Sequence, residues 1–231
     1  MTHRNPYLRD IIRLSLDIET VQRDDDLARQ FVADGIKPSA NMSKPETLAE
    51  WHATRRPALV EEALAKGDGA LSPVTGKIVC IGLVSDTHEQ VFCSDDEHEV
   101  IRLSYEWIST LGEPITLVGH NLIGFDLPYL RCRSIVHGLR APLPVAKAWR
   151  AKPWSEEVGD TMTLWNPDRD KRVSLDKLCR LLGIPSPKEG GINGGDVYGL
   201  YKAGELGKIS SYCLADCRAA LECYKRIQAV V

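Results

Sequence analysis

The stretch LSLDIET, Leu14 to Thr20, decides how the rest of the chain is read. Leu14, Leu16 and Ile18 alternate with Ser15, Asp17 and Glu19, the period of a β-strand with one apolar face. Side chains two apart on a strand point the same way, so Asp17 and Glu19 converge on one side of the sheet. Taken alone, LSLDIE fits a strand with one solvated face equally well, because half-buried strands alternate in this way. Two further stretches bear on the choice.

The first is GHNLIGFD, Gly119 to Asp126. Asn121 falls just past a predicted strand, ITLVGHN, and Asp126 at the start of a predicted helix, GFDLPYLRCRSIVHGL. Ligands in open α/β sheets gather at that edge. The alternative for Asp126 is a plain helix cap. The second is SYCLADC, Ser211 to Cys217, within a predicted helix from about Ile209 to Val230. Tyr212 and Asp216 are four apart and share a face. Asp216 falls inside the apolar stripe of Ile209, Cys213, Ala220 and Ile227, while Arg218 lies on the other side. A carboxylate on an inward face must be paired or bound to a cation.

Asp17, Glu19, Asp126 and Asp216 are therefore expected to meet in one cleft. Like charges so placed cannot all stay ionised without a compensating cation. Oxygen ligands without a His or Cys cluster select Mg²⁺ or Mn²⁺ over zinc. Two such ions about 4 Å apart are a recurrent device for in-line displacement at phosphorus.

The surrounding pattern is α/β. KIVCIGLVS and QVFCS read as a hairpin, Glu97 to Leu111 as a helix, and DTMTLW (Asp160 to Trp165) as a short strand. SLDKLCRLLG reads as a helix capped by Ser174, and Pro142, Pro144 and Pro153 as marks of a loop. Strands alternating with helices after a hairpin predict a mixed central sheet covered by helices. Residues 21–76 interrupt this pattern with helical segments, including a capping-box spacing at Ser43-Lys44-Pro45-Glu46. A connection of that length points to a function or a small subdomain. The expectation is one domain over 1–231 that carries this helical insertion.

Composition agrees with a soluble domain, at 43% hydrophobic and 26% charged residues. A net charge of −3 lacks the basic footprint of a tight duplex-binding scaffold. It leaves room for a nuclease that holds a few nucleotides through metal. The seven cysteines show no C-x-x-C metal pair, and Cys213, Cys217 and Cys223 read as small apolar positions on a helix. MTHRNPYLRD has no apolar leader, and no apolar run spans a membrane, so a reducing cytoplasm is expected.

In order along the chain, DIE, N-x3-FD and Y-x3-D resemble the three motifs of the DEDD 3′–5′ exonucleases, which have a ribonuclease-H-like fold. Tyr212 places the resemblance in the DEDDy branch, since Ser211 stands where the other branch has histidine. LSLDIET, NLIGFDLPYL and YCLADC look most like the proofreading domain of family-B DNA polymerases and its stand-alone relatives. The resemblance spans Leu14 to about Ile227 and covers 21–76 poorly.

The resemblance implies Asp17 bridging two divalent cations, Mg²⁺ or Mn²⁺, with Glu19 and Asp216 completing the inner site. It implies Asp126 on the second ion through water and Tyr212 aiming the attacking water. Asn121 would hold the sugar-phosphate, Phe125 would pack near the terminal nucleotide, and the Ile18 N–H would read the 3′-hydroxyl. The implied substrate is a 3′ end of single-stranded or frayed DNA. The implied products are nucleoside 5′-monophosphates, in a DNA-repair or proofreading setting with a DNA polymerase or replication and repair proteins as partners. RNA as the substrate, and a non-catalytic binding or polymerase-accessory module, are the alternatives. A fused polymerase catalytic domain is not expected.

Weaker features have bland readings. Asp160 and His120 read as structural or supporting groups rather than metal ligand and base. PSPKEGGINGGD, with Lys188, lacks a G-K-[ST] ending and reads as a flexible turn or a loop near the substrate. Lys37, Lys44, Arg55, Arg56, Lys66 and Trp51 in the insertion fit a single-strand grip. The interspersed Glu46, Glu50, Glu61 and Glu62 favour a solvated face. Trp149, Trp154 and Trp165 either cover the core or line a channel.

Overall fold

LSLDIET lies within strand β1, Ile12–Gln22. A computed structural model describes residues 11–112, 114–168 and 171–230, so the MTHRNPYLRD stretch lies outside the described residues. The chain divides into two compact units, one running up to Glu19 and again from Ile78, the other Thr20–Lys77.

In the first unit β1 belongs to a five-stranded sheet with β2 (Gly76–Val84), β3 (Glu89–Cys93), β4 (Ile115–Gly119) and β5 (Val158–Asp160). The spatial order is β3-β2-β1-β4-β5. The strands β2 and β3 form the expected antiparallel hairpin. Two further pairings are parallel, β1 with β4 from Ile12↔Ile115 to Ser15↔Val118, and β4 with β5 up to Gly119↔Asp160. The carboxyl ends of three parallel strands thus lie at one edge, where open α/β sheets place their ligands. This mixed sheet with flanking helices is the ribonuclease-H-like α/β fold.

The alternation in β1 sorts its side chains between two covered faces. Leu14, Leu16 and Ile18 join the main core with Val100, Ile101 and Tyr105 of α4 (Glu97–Thr110) and Leu127 and Leu130 of α5 (Asp126–Val136). The opposite face is not solvated, since Ser15 is fully buried and Glu19 is 8% exposed. It lies beneath α10 (Leu206–Gln228), which packs on β3 and β4. Close seating needs a missing side chain: a Cβ at Gly159 in β5 would fall 2.3 Å from the Tyr224 ring of α10.

Asp160 to Trp165 is not a strand. β5 ends at Asp160, whose carboxylate accepts the Met162 N–H and starts α7, Thr161–Trp165. Local capping outweighs the β-rich composition of DTMTLW. The Pro-marked loop contains a short helix, α6 (Leu143–Ala148), which accommodates Pro144 in its first turn. Ser174 caps α8 (Leu175–Leu182) as expected, and α9 (Val197–Lys202) precedes α10. Among the described residues, no helix is long and apolar enough to cross a membrane.

The second unit contains α1 (Asp26–Gly35), capped by Asp25 through the Ala28 N–H at 2.9 Å. It continues with α2 (Pro45–Glu50), a π-turn at Trp51–Arg55 and α3 (Arg56–Lys66), which Gly67 ends at φ 75°. Pro57, just inside α3, lacks an N–H and crowds the preceding turn, which accounts for the π-turn there. The capping box at Ser43 does not form. Lys44 occupies the cap, without a side-chain bond, because Pro45 sets the helix start one residue later. Arg56 pairs with Asp34 at 3.5 Å, Lys66 with Glu62 at 2.7 Å, and Arg29 with Glu61 at 3.2 Å. Trp51 is buried at 6% exposure, so its ring is not displayed for stacking. The solvated-face reading fits this unit.

A buried ion pair ties α4 to α5. Glu97, at 5% exposure, accepts from the Ile78 N–H at 2.7 Å, Arg133 Nε at 2.8 Å and His137 Nε2 at 2.7 Å. Burial works to raise the Glu97 pKa, but the Arg133, His137 and Ile78 donors together hold it below the usual value. The resulting stability is fully present above the ordinary glutamate value of 4.5 and is lost as pH falls through the lower folded value.

Two stability predictions follow from this packing. Gly159→Ala is expected to cost about 1–3 kcal/mol in urea unfolding, the usual penalty of overpacking. Arg133→Ala, which strands a buried carboxylate, is expected to cost about 3–5 kcal/mol. Its acid-side loss of stability should begin at higher pH than the parent's in a thermal-melt series.

Candidate active site

The acids of β1 sit at the strand's carboxyl-terminal half, and α10 closes over them. Asp17, Glu19 and Cys213 bring one ligand atom each to within 4.8 Å of one another. Asp126 and Asp216 stand outside that tight group, but their charges reach it. Burial first, and then the negative charges of Glu19, Asp126 and Asp216, raise the Asp17 pKa. Glu19 is raised by burial and then by Asp216 and Asp126. Asp126 is pushed up to about 8, chiefly by burial, and Asp216 to about 6, again by burial. Acids from β1, α5 and α10 therefore share one desolvated, repulsive neighbourhood.

Each is held by its own local structure. Asp126, at the first position of α5, is not the helix cap, a place occupied by Phe125 without a side-chain bond. Its Oδ1 instead accepts the Ile18 backbone N–H at 3.1 Å, joining the start of α5 to the middle of β1. This corrects one expectation: the Ile18 N–H is engaged by Asp126 and is not displayed for a 3′-hydroxyl. Asp216 lies one turn beyond Tyr212 on α10. The Tyr212 hydroxyl and the charge of Lys188 both favour its ionised form. Arg218 faces away and pairs with Glu89 at 2.8 Å. Burial, then Asp216 and Glu19, raise the Tyr212 pKa above its ordinary value. The side chain therefore remains a phenol.

Asn121 is the one described residue other than glycine with positive φ, at 64°. Asn tolerates this left-handed conformation better than most residues. The Asn121 turn is pinned by Asp160, which accepts the Asn121 N–H at 3.0 Å and the Ile123 N–H at 2.9 Å in addition to that of Met162. With three backbone donors on its oxygens, Asp160 orients the turn. His120 is likewise satisfied, its Nδ1 2.9 Å from Thr161 Oγ1 and its Nε2 2.9 Å from the Val173 carbonyl, and burial lowers its pKa. Phe125 is half-buried and packs on Tyr129, with ring centroids 5.4 Å apart.

Two neighbours of the acids are not among the motif residues. Cys213 Sγ lies 3.4 Å from both the carbonyl oxygen and Oδ2 of Asp17. Burial raises its pKa, so it remains an S–H donor to Asp17. A Cβ at Gly82 would fall 2.9 Å from the sulfurs of Cys213 and Cys217, so β2 makes room for them by having none. The signal was available, because Cys213 lies in the same inward stripe as Asp216. Lys188 sits in a structured turn, Pro187–Gly190, that packs on α10 and is closed by Ser186 and Glu189. Among Trp149, Trp154 and Trp165, the first packs against the core, and Trp154 is 82% exposed.

The donor set suits hard divalent cations. Carboxylate oxygens dominate it, and their mutual repulsion in a desolvated site is relieved by positive charge. Water activation or phosphoryl stabilisation is the chemistry such a set can host.

Comparison with known proteins bears on the fold and the family. No curated protein sequence matches the chain. Among solved structures, the family B DNA polymerase from the hyperthermophilic archaeon Pyrobaculum calidifontis matches with a TM-score of 0.60 and 19% identity. That match covers 97% of this chain but 25% of the polymerase, a likeness of fold. A family model described as a predicted 3′–5′ exonuclease related to the exonuclease domain of PolB matches residues 74–230. The matched stretch contains Asn121, Phe125, Asp126, Tyr212 and Asp216 and begins after LSLDIET. The chain belongs to this family of predicted 3′–5′ exonucleases related to the exonuclease domain of PolB.

Proposed function

We propose that the chain hydrolyses phosphodiester bonds at the 3′ end of single-stranded or frayed DNA and releases nucleoside 5′-monophosphates. One observation carries the reading: acids from β1, α5 and α10 gather at the edge where the parallel strands end, with Asp126 bonded to the Ile18 N–H beside Asp17 and Glu19, and the charges of Asp126 and Asp216 raise the pKa of both β1 acids. A merely structural site gains nothing from two buried and two half-buried carboxylates placed together, and a phosphate-binding surface without cations would be repelled by them.

In this reading Asp17, Glu19, Asp126 and Asp216 hold two divalent ions, Mg²⁺ or Mn²⁺. Such ions, when bound, stabilise the charge that develops on the phosphate and make the attacking water more acidic. The residues supply the rest. Asp126 keeps its orientation through the Ile18 N–H, and the Cys213 thiol steadies Asp17. Tyr212, a neutral phenol with a raised pKa, aims the water through its hydroxyl without removing its proton. Asn121, fixed by Asp160, contacts the terminal sugar-phosphate, and Phe125 borders the terminal base. Product release from the 3′ end follows when the bond to the penultimate nucleotide breaks.

Digestion of end-labelled single-stranded DNA, duplex DNA and RNA with Mg²⁺ or Mn²⁺ tests this. A ladder shortening from the 3′ end of single-stranded DNA is expected. Asp17→Asn or Asp216→Asn should lower the rate at least about a hundredfold, the scale of a few kcal/mol of transition-state charge stabilisation. Tyr212→Phe should lower it less. Variants as active as the parent would refute the assignment.

The crowding of charge makes a separate prediction. Asp126→Asn keeps an acceptor for the Ile18 N–H but removes one repelling charge. In chelator at pH 8 it should melt at a higher temperature than the parent. Adding Mn²⁺ should raise the parent's melting temperature more than the variant's.

A further inference from the structure

We propose that a second nucleotide subsite adjoins the active site, built around Trp154 and Arg172, that takes an upstream nucleotide of the same single strand. The inference rests on the exonuclease reading for what occupies the neighbouring position. A cavity of about 470 Å³ is lined by Asn121, Ile123, Trp154, Met162, Thr163 and Arg172. Asn121 and the turn after it belong to both places, so a strand whose terminal sugar-phosphate meets Asn121 passes directly into the cavity. The volume lies within the range of sites that hold small organic ligands.

The lining fits the two repeating parts of a polynucleotide. Trp154 is 82% exposed, an unusual place for so large an apolar ring, and it offers a face on which a base can stack. Arg172 is exposed and has no ion-pair or hydrogen-bond partner among the described residues, which suits a phosphate. Thr163 Oγ1 is buried with no hydrogen-bond partner, a polar group in the wall still to be satisfied. Two acids also line the cavity, but neither opposes an anionic ligand as a bare charge. Asp160 accepts three backbone N–H groups, and Asp168 pairs with Lys171 at 3.5 Å. An apolar peptide would leave Arg172 and Thr163 without partners, whereas a single-stranded nucleic acid engages both and the ring.

The test measures binding rather than turnover. Affinities in Mg²⁺ are compared for nucleoside 5′-monophosphate and for a single-stranded oligodeoxynucleotide with a non-hydrolysable 3′-terminal linkage. An oligoribonucleotide arm reads the sugar. Trp154→Leu should weaken oligonucleotide binding roughly 5- to 150-fold, the range of one lost base–aromatic stack. Trp154→Phe should restore most of it, and monophosphate binding should be unchanged in both. Arg172→Gln should reduce the slope of log affinity against log salt by about 0.7, the value for one phosphate contact on a single strand.

Unchanged oligonucleotide affinity in Trp154→Leu would overturn the proposal. So would an equal loss for monophosphate and oligonucleotide, or a parent that binds no single strand. Failure of the exonuclease reading looks different: the oligonucleotide binds through Trp154, and the parent shortens no 3′ end.

Discussion

Four carboxylates drawn out of water into one neighbourhood are the constraint around which this molecule is arranged. Desolvation is the largest cause of the raised pKa of Asp17, Glu19, Asp126 and Asp216 alike, and their mutual repulsion adds to it in the first three. Such an arrangement is costly for the fold on its own terms. Each acid is carried by the backbone of a regular element, Asp17 and Glu19 by β1, Asp126 by α5 and Asp216 by α10.

The anchors are cooperative in a geometric sense. Parallel pairing of β1, β4 and β5 brings their carboxyl ends to a common edge. Asp126 then reaches from α5 to the Ile18 N–H, and Asp160 reaches from β5 to the turn that holds Asn121. Helix α10 completes the site only because it can approach the sheet closely, over Gly82 at β2 and Gly159 at β5. The same seating places the Cys213 thiol against Asp17. Missing side chains in β2 and β5 thus let α10 bring Asp216 over the β1 acids.

The buried pair Glu97–Arg133 has a different character. It is satisfied by complementary charge within the protein, and its carboxyl is held below the ordinary range, whereas the clustered acids of β1, α5 and α10 are held above theirs. The contrast separates a carboxylate satisfied by charge within the protein from carboxylates that are not. In the Thr20–Lys77 unit, Arg29, Arg56 and Lys66 likewise have acidic partners within the protein.

Local pattern alone determined the strand Leu14–Thr20, the β2–β3 hairpin, the helix bearing Tyr212 and Asp216, and the inward aim of Asp216 against Arg218. These follow from periodicity, which is a property of neighbouring residues. The tertiary structure decided what periodicity cannot carry. It turned Thr161–Trp165 into a helix, because the Asp160 carboxylate was free to cap it. It gave the Ile18 N–H to Asp126, a partner 108 positions away. It brought Cys213 and Lys188 to the acids and left Trp154 displayed beside Asn121. Contacts between remote segments depend on how closely elements can pack, and that closeness is settled by the shapes that meet, which no local stretch of sequence contains.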